Sequence, residues 1–477
     1  MSESTLQANE PGGERPADAG DAGYRKSLKA RHINMIAIGG AMGTGLFLGA
    51  GGRLAQAGPA LALAYAVCGV FAFFVVRSLG ELILYRPSSG AFVSYSREFM
   101  GEKGAYTAGW MHFLNWSTTG IADITAIALY AHYWALFTPV PQWVLALIAL
   151  AIVLALNMVS VKLFGEMEFW FAIIKVGALI VFMLVGIYLV VTGHPIAGHE
   201  AGPSLITDTG GFFPAGVLPV VLIMQGVVFA YASVELVGVA AGETENPEKI
   251  MPKAINSIMW RIGIFYVGSV LLLSMLLPWT SYKDGESPFV TVLSSLGVPG
   301  ASDVMNLVVL TAAMSSLNSG LYSTGRTLRS MSLAGSAPKF TGRMNRNQVP
   351  YGGILLTSAV CVVGVGLNAV VPEEAFEIVL NFASIGILGT WAMIVLSHLL
   401  FVRKADRGEV RRPHYRLPLS PYVQIATLAF FAAIVVLMAF DDIGRITVLA
   451  LPVLLVAFVV GWFCVRGRID TSAMDNE

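Results

Sequence analysis

"GGAMGTGLFLG", residues 39–49, places five glycines in eleven positions of a long apolar stretch. Glycine inside a helix costs about 1 kcal/mol relative to alanine. Two readings explain so many of them. Gly39/Gly43 and Gly45/Gly49 have the four-residue spacing that lets helix backbones approach closely in a bilayer. Alternatively, the helix is interrupted. Non-helical backbone at membrane depth is tolerated where it lines a cavity. There the freed N–H groups attract a carboxylate, and the freed carbonyls hold an ammonium or a cation.

Composition supports membrane depth. Of 477 residues, 56% are hydrophobic and only 13% charged, about half the charge a water-soluble surface needs. Apolar runs long enough to cross a bilayer recur along the chain. They predict an all-α integral membrane protein with twelve transmembrane helices. The spans are 33–53, 58–84, 104–136, 142–160, 169–192, 215–240, 255–279, 302–330, 351–371, 379–402, 421–440 and 446–466. The lipid bilayer is thus the first partner. A net charge of zero argues against nucleic acid as another. Cys68, Cys361 and Cys464 all lie in apolar segments and form no pair or metal-ligand spacing. The first 24 residues are polar, lack the apolar core of a cleaved signal, and read as a disordered tail.

The basic residues set the topology. Twenty-five of the 30 Lys and Arg fall on the side of the N-terminal tail and the connections after even-numbered spans. Arg53, Lys283 and Arg445 fall on the other side, and Arg77 and Lys175 lie within spans. Both termini are therefore expected in the cytoplasm, in a multi-pass protein of the cell membrane.

A break in the first span predicts a partner. In transporters built from inverted repeats, the second broken helix occupies the matching position of the second half. Five spans on, the sixth reads "GVLPVVLIMQGVVFAYASVELVGVAAGETENP". Phe229 to Glu235 interrupts its Leu/Val pattern with Ala, Tyr, Ser and an acid. The expected division is a tail (1–24), two inverted five-helix repeats (25–202 and 203–405), helices 11 and 12 (406–466), and a second tail (467–477).

Ionisable groups at bilayer depth are expensive and mark function. Lys175, in the fifth span, either snorkels to the interface or is a buried ammonium that carries a proton. Glu235 in the sixth span is a hydrogen-bond anchor or a second proton-coupling group. Asp123 in the third span contacts a polar ligand or accepts bonds from Thr119 and Thr125. Glu81 reads as an ordinary interfacial carboxylate at the end of the second span. The segment "SSLNSG", 315–320, gathers hydroxyls and an amide. No HExxH, nucleophile arrangement or phosphate loop appears, so no enzyme, metal or cofactor is expected.

Three stretches carry a resemblance. "AGPALALAYAVCGVFAFFVVRSLGELILYRPSSGAFVSY" (57–95), "AAGETENPEKIMPKAI" (240–255) and "SSLNSGLYSTGRTLRSMSLAGSAPKF" (315–340) resemble the amino acid permeases of the amino acid–polyamine–organocation superfamily. The similarity runs from about residue 24 to 466. It implies two five-helix inverted repeats plus two helices, with helices 1 and 6 broken. It also implies secondary transport of a neutral amino acid with a proton. Asparagine is the favoured substrate, with serine, alanine or glycine as alternatives. The substrate carboxylate is implied to meet the amides of Gly43, Thr44 and Gly45, and its amino group the carbonyl of Ala41. The sixth-span carbonyls implied are Phe229, Ala230 and Ala232, with the Phe229 ring as gate. Lys175 is implied as the coupling cation, beside Gly39 or Gly40 and Ser316. Asp123 stands where many relatives carry Glu, which bears on pocket size. Side-chain recognition of a primary amide, which needs both donors and acceptors, is assigned to Asn115, Thr119, Asp123, Asn318 and Asn381. A passive channel or a transporter-like receptor are the rival classes, and the oligomeric state is left open.

Overall fold

The computed structural model describes residues 42–88, 90–241, 247–372 and 375–469. Gly39, Gly40, Ala41, the tail 1–24 and residues 470–477 lie outside the described residues. The described residues are all-α apart from one short hairpin.

The first span appears as α1 (Thr44–Phe47) and α2 (Gly49–Ala57). A 3-10 turn leads into α3 (Leu61–Tyr85). Next come α4 (Ala91–His132), α5 (Gln142–Val159) and α6 (Val161–Thr192). Strands β1 (Pro195–Ile196) and β2 (His199–Glu200) pair antiparallel before α7 (Ser204–Asp208). The sixth span is split into α8 (Val217–Leu222), α9 (Met224–Ala230) and α10 (Leu236–Ala241). The seventh runs from α11 (Pro247–Arg261) through a π-helical turn into α12 (Ser269–Leu276). Short α13 (Pro288–Ser295) precedes α14 (Ala301–Leu333). The last four are α15 (Tyr351–Val370), α16 (Ala375–Asp406), α17 (Tyr422–Met438) and α18 (Asp442–Val465).

Eight helices among the described residues are long and apolar enough to cross a membrane. They correspond to the second, fourth, fifth, seventh, eighth, ninth, tenth and twelfth expected spans. The broken first and sixth spans do not pass that test, and neither does α4, whose buried residues include Asn115, Thr119 and Asp123. Those three spans meet at the Thr44–Asp123 pair and the Gly45–Ala230 contact, while the 17-residue α17 of the eleventh span falls short on length alone. The expected third span began at 104, yet α4 begins at Ala91. A left-handed Gly101 (φ 74°) divides it into a short first helix and the span proper.

Burial departs from that of a water-soluble protein. α4, α14 and α16 pack together at the centre and bury their polar residues. The most apolar stretch of α18 is not buried inside the protein, and α6 exposes Ile180, Val181, Leu184 and Val191. Apolar side chains facing outward over whole helices suit lipid rather than water.

Glu81, read from sequence as an ordinary carboxylate at the end of the second span, has an elaborate set of partners. It is fully buried in α3. Arg412, from the connection after α16, donates to it through Nε, and the Leu417 amide donates at 2.6 Å. His398 Nε2 lies 3.0 Å from the same carboxylate. Gln424 of α17 meets His398 Nδ1 at 3.1 Å. If the Gln424 amide is the donor there, the imidazole proton sits on Nε2, facing Glu81. A charge so deep needs this full set of partners.

Candidate functional site

The first and sixth spans lose regular winding side by side. Gly43 is extended (φ −110°, ψ −161°), and α1 starts at the next residue. The first turn of a helix leaves its N–H groups without intrahelical partners. At α1 those groups belong to Thr44 and Gly45. In the sixth span α9 stops at Ala230, and Ser233 adopts a left-handed φ of 86°. Residues 231–235 form tight turns instead of helix, with Ala232 N–H donating to the Phe229 carbonyl at 3.0 Å.

The two breaks touch. A Cβ on Gly45 would lie 2.5 Å from Ala230 Cα and 2.8 Å from its N, closer than real atoms come. Gly45 therefore serves close backbone approach within a broken segment, so both readings of the glycine-rich stretch apply. Gly43 differs. A Cβ there would sit 3.7 Å from Ser316 Oγ, an ordinary contact.

Three tyrosines answer carbonyls around the breaks. Tyr65 Oη donates to Gly45 O at 3.3 Å and Tyr266 Oη to Ala230 O at 2.9 Å. Tyr231 Oη donates to Tyr65 O at 2.6 Å, and the Tyr231 and Tyr266 rings stack at 4.7 Å. Sequence reading missed this set, since tyrosines in apolar helices look like ordinary core. Tyr266→Phe is expected to cost about 1–3 kcal/mol, the usual penalty for stranding a buried acceptor. A thermal melt of the purified protein, beside an uptake assay, checks it.

Asp123 is fully buried on α4, and its Oδ1 accepts from Thr44 Oγ1 at 2.8 Å. Its Oδ2 has no partner among the described residues. The expected donors are engaged elsewhere: Thr125 bonds the Ile121 carbonyl, and Thr119 bonds Asn115 Oδ1 at 3.3 Å. Thr44 takes their place because the break brings the start of α1 against α4. Phe229 is buried, and its ring comes 3.0 Å from a Cβ built on Gly45.

Lys175 is buried, not snorkelling. Its Nζ donates to Ser315 Oγ at 3.1 Å, so its hydroxyl partner is Ser315 rather than the neighbouring Ser316. Ser315 Oγ donates in turn to Glu168 Oε2 at 2.8 Å. Glu168 also accepts from Asn318 Nδ2 at 2.8 Å, while Asn157 donates to Asn318 Oδ1 at 2.6 Å. Asn318 was expected at the substrate, but both ends of its amide are bonded within this network. Glu168 is the residue that sequence reading missed. It lies seven positions before Lys175 on one helix face, but the fifth span was drawn from 169, just beyond it. The structure starts α6 at Val161. The charged neighbours of Lys175 are Glu168 and Asp123.

Glu235 occupies a third buried cluster. It accepts from Asn115 Nδ2 and from Trp391 Nε1, each at 3.2 Å. Both donors are neutral, as suits a structural anchor. Asn381 is separate again. It lines a cavity reached along α2 and α16, with its Nδ2 on the Glu377 carbonyl at 2.9 Å.

The chain as a whole has known relatives. A protein named L-asparagine permease from Streptomyces coelicolor is 70% identical over 459 residues, covering 96% of this chain and 94% of the relative. One of the same name from Salmonella typhimurium is 58% identical, covering 95% and 91%. L-asparagine permease 1 of Mycobacterium tuberculosis is 58% identical, covering 96% and 94%. The sequence model of the family described as amino acid permease matches residues 32–474. With two interrupted helices meeting beside a buried Thr44–Asp123 pair and this match along nearly its whole length, the chain belongs to the amino acid permease family.

Proposed function

We propose that this permease imports L-asparagine across the cell membrane by alternating access, coupled to a proton. The observation that carries the reading is the contact between the two interrupted helices at Gly45 and Ala230, beside the buried Thr44–Asp123 pair. An α-amino acid presents a carboxylate and an ammonium. Open N–H groups of Gly43, Thr44 and Gly45 receive the first, and the carbonyls at Phe229, Ala230 and Ala232 receive the second. The Ala41 carbonyl, outside the described residues, is assigned the same role. The free Asp123 Oδ2 accepts an N–H of the side-chain amide. Relatives at 58% to 70% identity, each named L-asparagine permease, support asparagine.

Coupling follows from charge. Lys175 with ionised Asp123 and Glu168 carries one net negative charge in a dry interior. One added proton neutralises the set, so proton and zwitterion cross together at lower cost. The excess of basic residues on one face supports cytoplasmic termini. Uptake of labelled asparagine into proteoliposomes under an imposed proton gradient tests the reading. Saturable, gradient-driven accumulation is expected, with alanine, serine and glycine competing weakly. Strong competition by those three, or uptake indifferent to the gradient, overturns it.

A further inference from the structure

We propose that the cavity between α2, α8, α9, α16 and the start of α18 is a second binding site, holding the amide amino acid before it reaches the Thr44–Asp123 pair. The inference rests on the substrate reading above. The cavity measures about 420 Å³ and is lined by Arg53, Gln225, Asp284, Glu377, Asn381 and Asp441, among others. That volume falls within the range of small-molecule sites. It opens beside the connections after α12 and α17, on the face opposite the basic loops.

Two observations point to a ligand. Gln225 and Asn381 are 8% and 3% exposed, and Gln225 Oε1 and Asn381 Oδ1 have no hydrogen-bond partner among the described residues. Buried acceptors without donors are costly, and a ligand bringing N–H groups relieves both. The charges agree. Asp284, Glu377 and Asp441 present three carboxylates against the single cation of Arg53. Ammonium and primary amide groups are both N–H donors and suit this acceptor-rich wall. The substrate carboxylate has one place to go, the Arg53 guanidinium.

Arg53 also links this cavity to the inner site. It is buried, pairs with Glu377 at 3.4 Å, and donates to the Gly49 carbonyl. Gly49 is one helical turn from Gly45. The guanidinium lies against Gly226, where a Cβ would come 2.1 Å from Nη2. A substrate carboxylate that engages Arg53 competes with Glu377 for it and loosens the tie between α2 and α16. Asn381, singled out from sequence for amide recognition, thus finds its role at the outer site.

Equilibrium dialysis of labelled asparagine against the full-length protein in lipid nanodiscs tests this. The wild type is expected to saturate at two molecules per chain. The Gln225→Leu/Asn381→Leu variant should saturate at one, and its kcat/KM for uptake should fall about tenfold as local concentration of substrate is lost. Asn381→Asp keeps an acceptor and should retain two. A wild-type stoichiometry of one overturns the second site while leaving the substrate reading in place. No asparagine bound at all removes the substrate reading, and this inference with it. Displacement of the second equivalent by sodium or potassium chloride marks a cation site and overturns the assignment.

Discussion

Gly45→Ala is expected to lower asparagine uptake by about ten- to a hundredfold, from the 1–3 kcal/mol that overpacking costs. The added methyl would lie within 3 Å of the main chain at Ala230. Backbone cannot rotate aside as a side chain does, so the first and sixth spans must separate. That separation moves the first-span amides away from the sixth-span carbonyls proposed to share the substrate with them. Gly43→Ala is the control, because its Cβ has ordinary room and the residue holds an extended backbone that any side chain adopts. Both variants should insert and elute as the wild type does on size exclusion, with uptake distinguishing them. Equal loss in both, or in neither, removes the close approach from the mechanism. The bulkier Gly43→Val tests a different point, since its branched side chain would crowd the place proposed for the substrate carboxylate.

Lys175→Met is expected to abolish accumulation driven by a pH gradient while exchange of asparagine across the membrane persists. The substitution also strands Glu168, and removing one partner of a buried charged pair costs about 3–5 kcal/mol. Loss of transport alone is therefore ambiguous. Lys175→Met/Glu168→Gln removes both charges and leaves Asn318 and Ser315 with a hydrogen-bonding amide. This double variant should recover most of the lost thermal stability and still fail to accumulate substrate. Gradient-driven accumulation that survives in the double variant takes Lys175 out of coupling.

Much of the architecture is legible in the chain. Eight of the twelve expected spans are long apolar helices, and two others are interrupted where glycines or small polar residues stand in an apolar run. Local composition carries that information, because a bilayer demands apolar length and a break demands residues that tolerate it. Pairing is where sequence reading stopped. Asp123 meets Thr44 from 79 positions away, and Asn318 meets Asn157 from 161. No periodicity encodes such partners, and equally plausible neighbours such as Thr119 and Thr125 lay closer along the chain. Glu168 was lost for another reason. A hydropathy boundary places a carboxylate outside the membrane by default, whereas this one is held inside by Ser315 and Asn318. Glu81 lay inside its span as drawn, and what the sequence did not show there was its set of partners from beyond residue 397.

The Glu81 cluster has a bearing on how far the molecule can be shortened. The two helices after residue 405 resemble an appendage to a ten-helix body, and a protein engineer seeking a minimal carrier would delete them first. Such a cut would also discard Arg412, the Leu417 amide and Gln424, marooning a carboxylate in the interior with a lone imidazole for company. A pruned carrier would then need Glu81 exchanged for a neutral residue before it had any prospect of assembling.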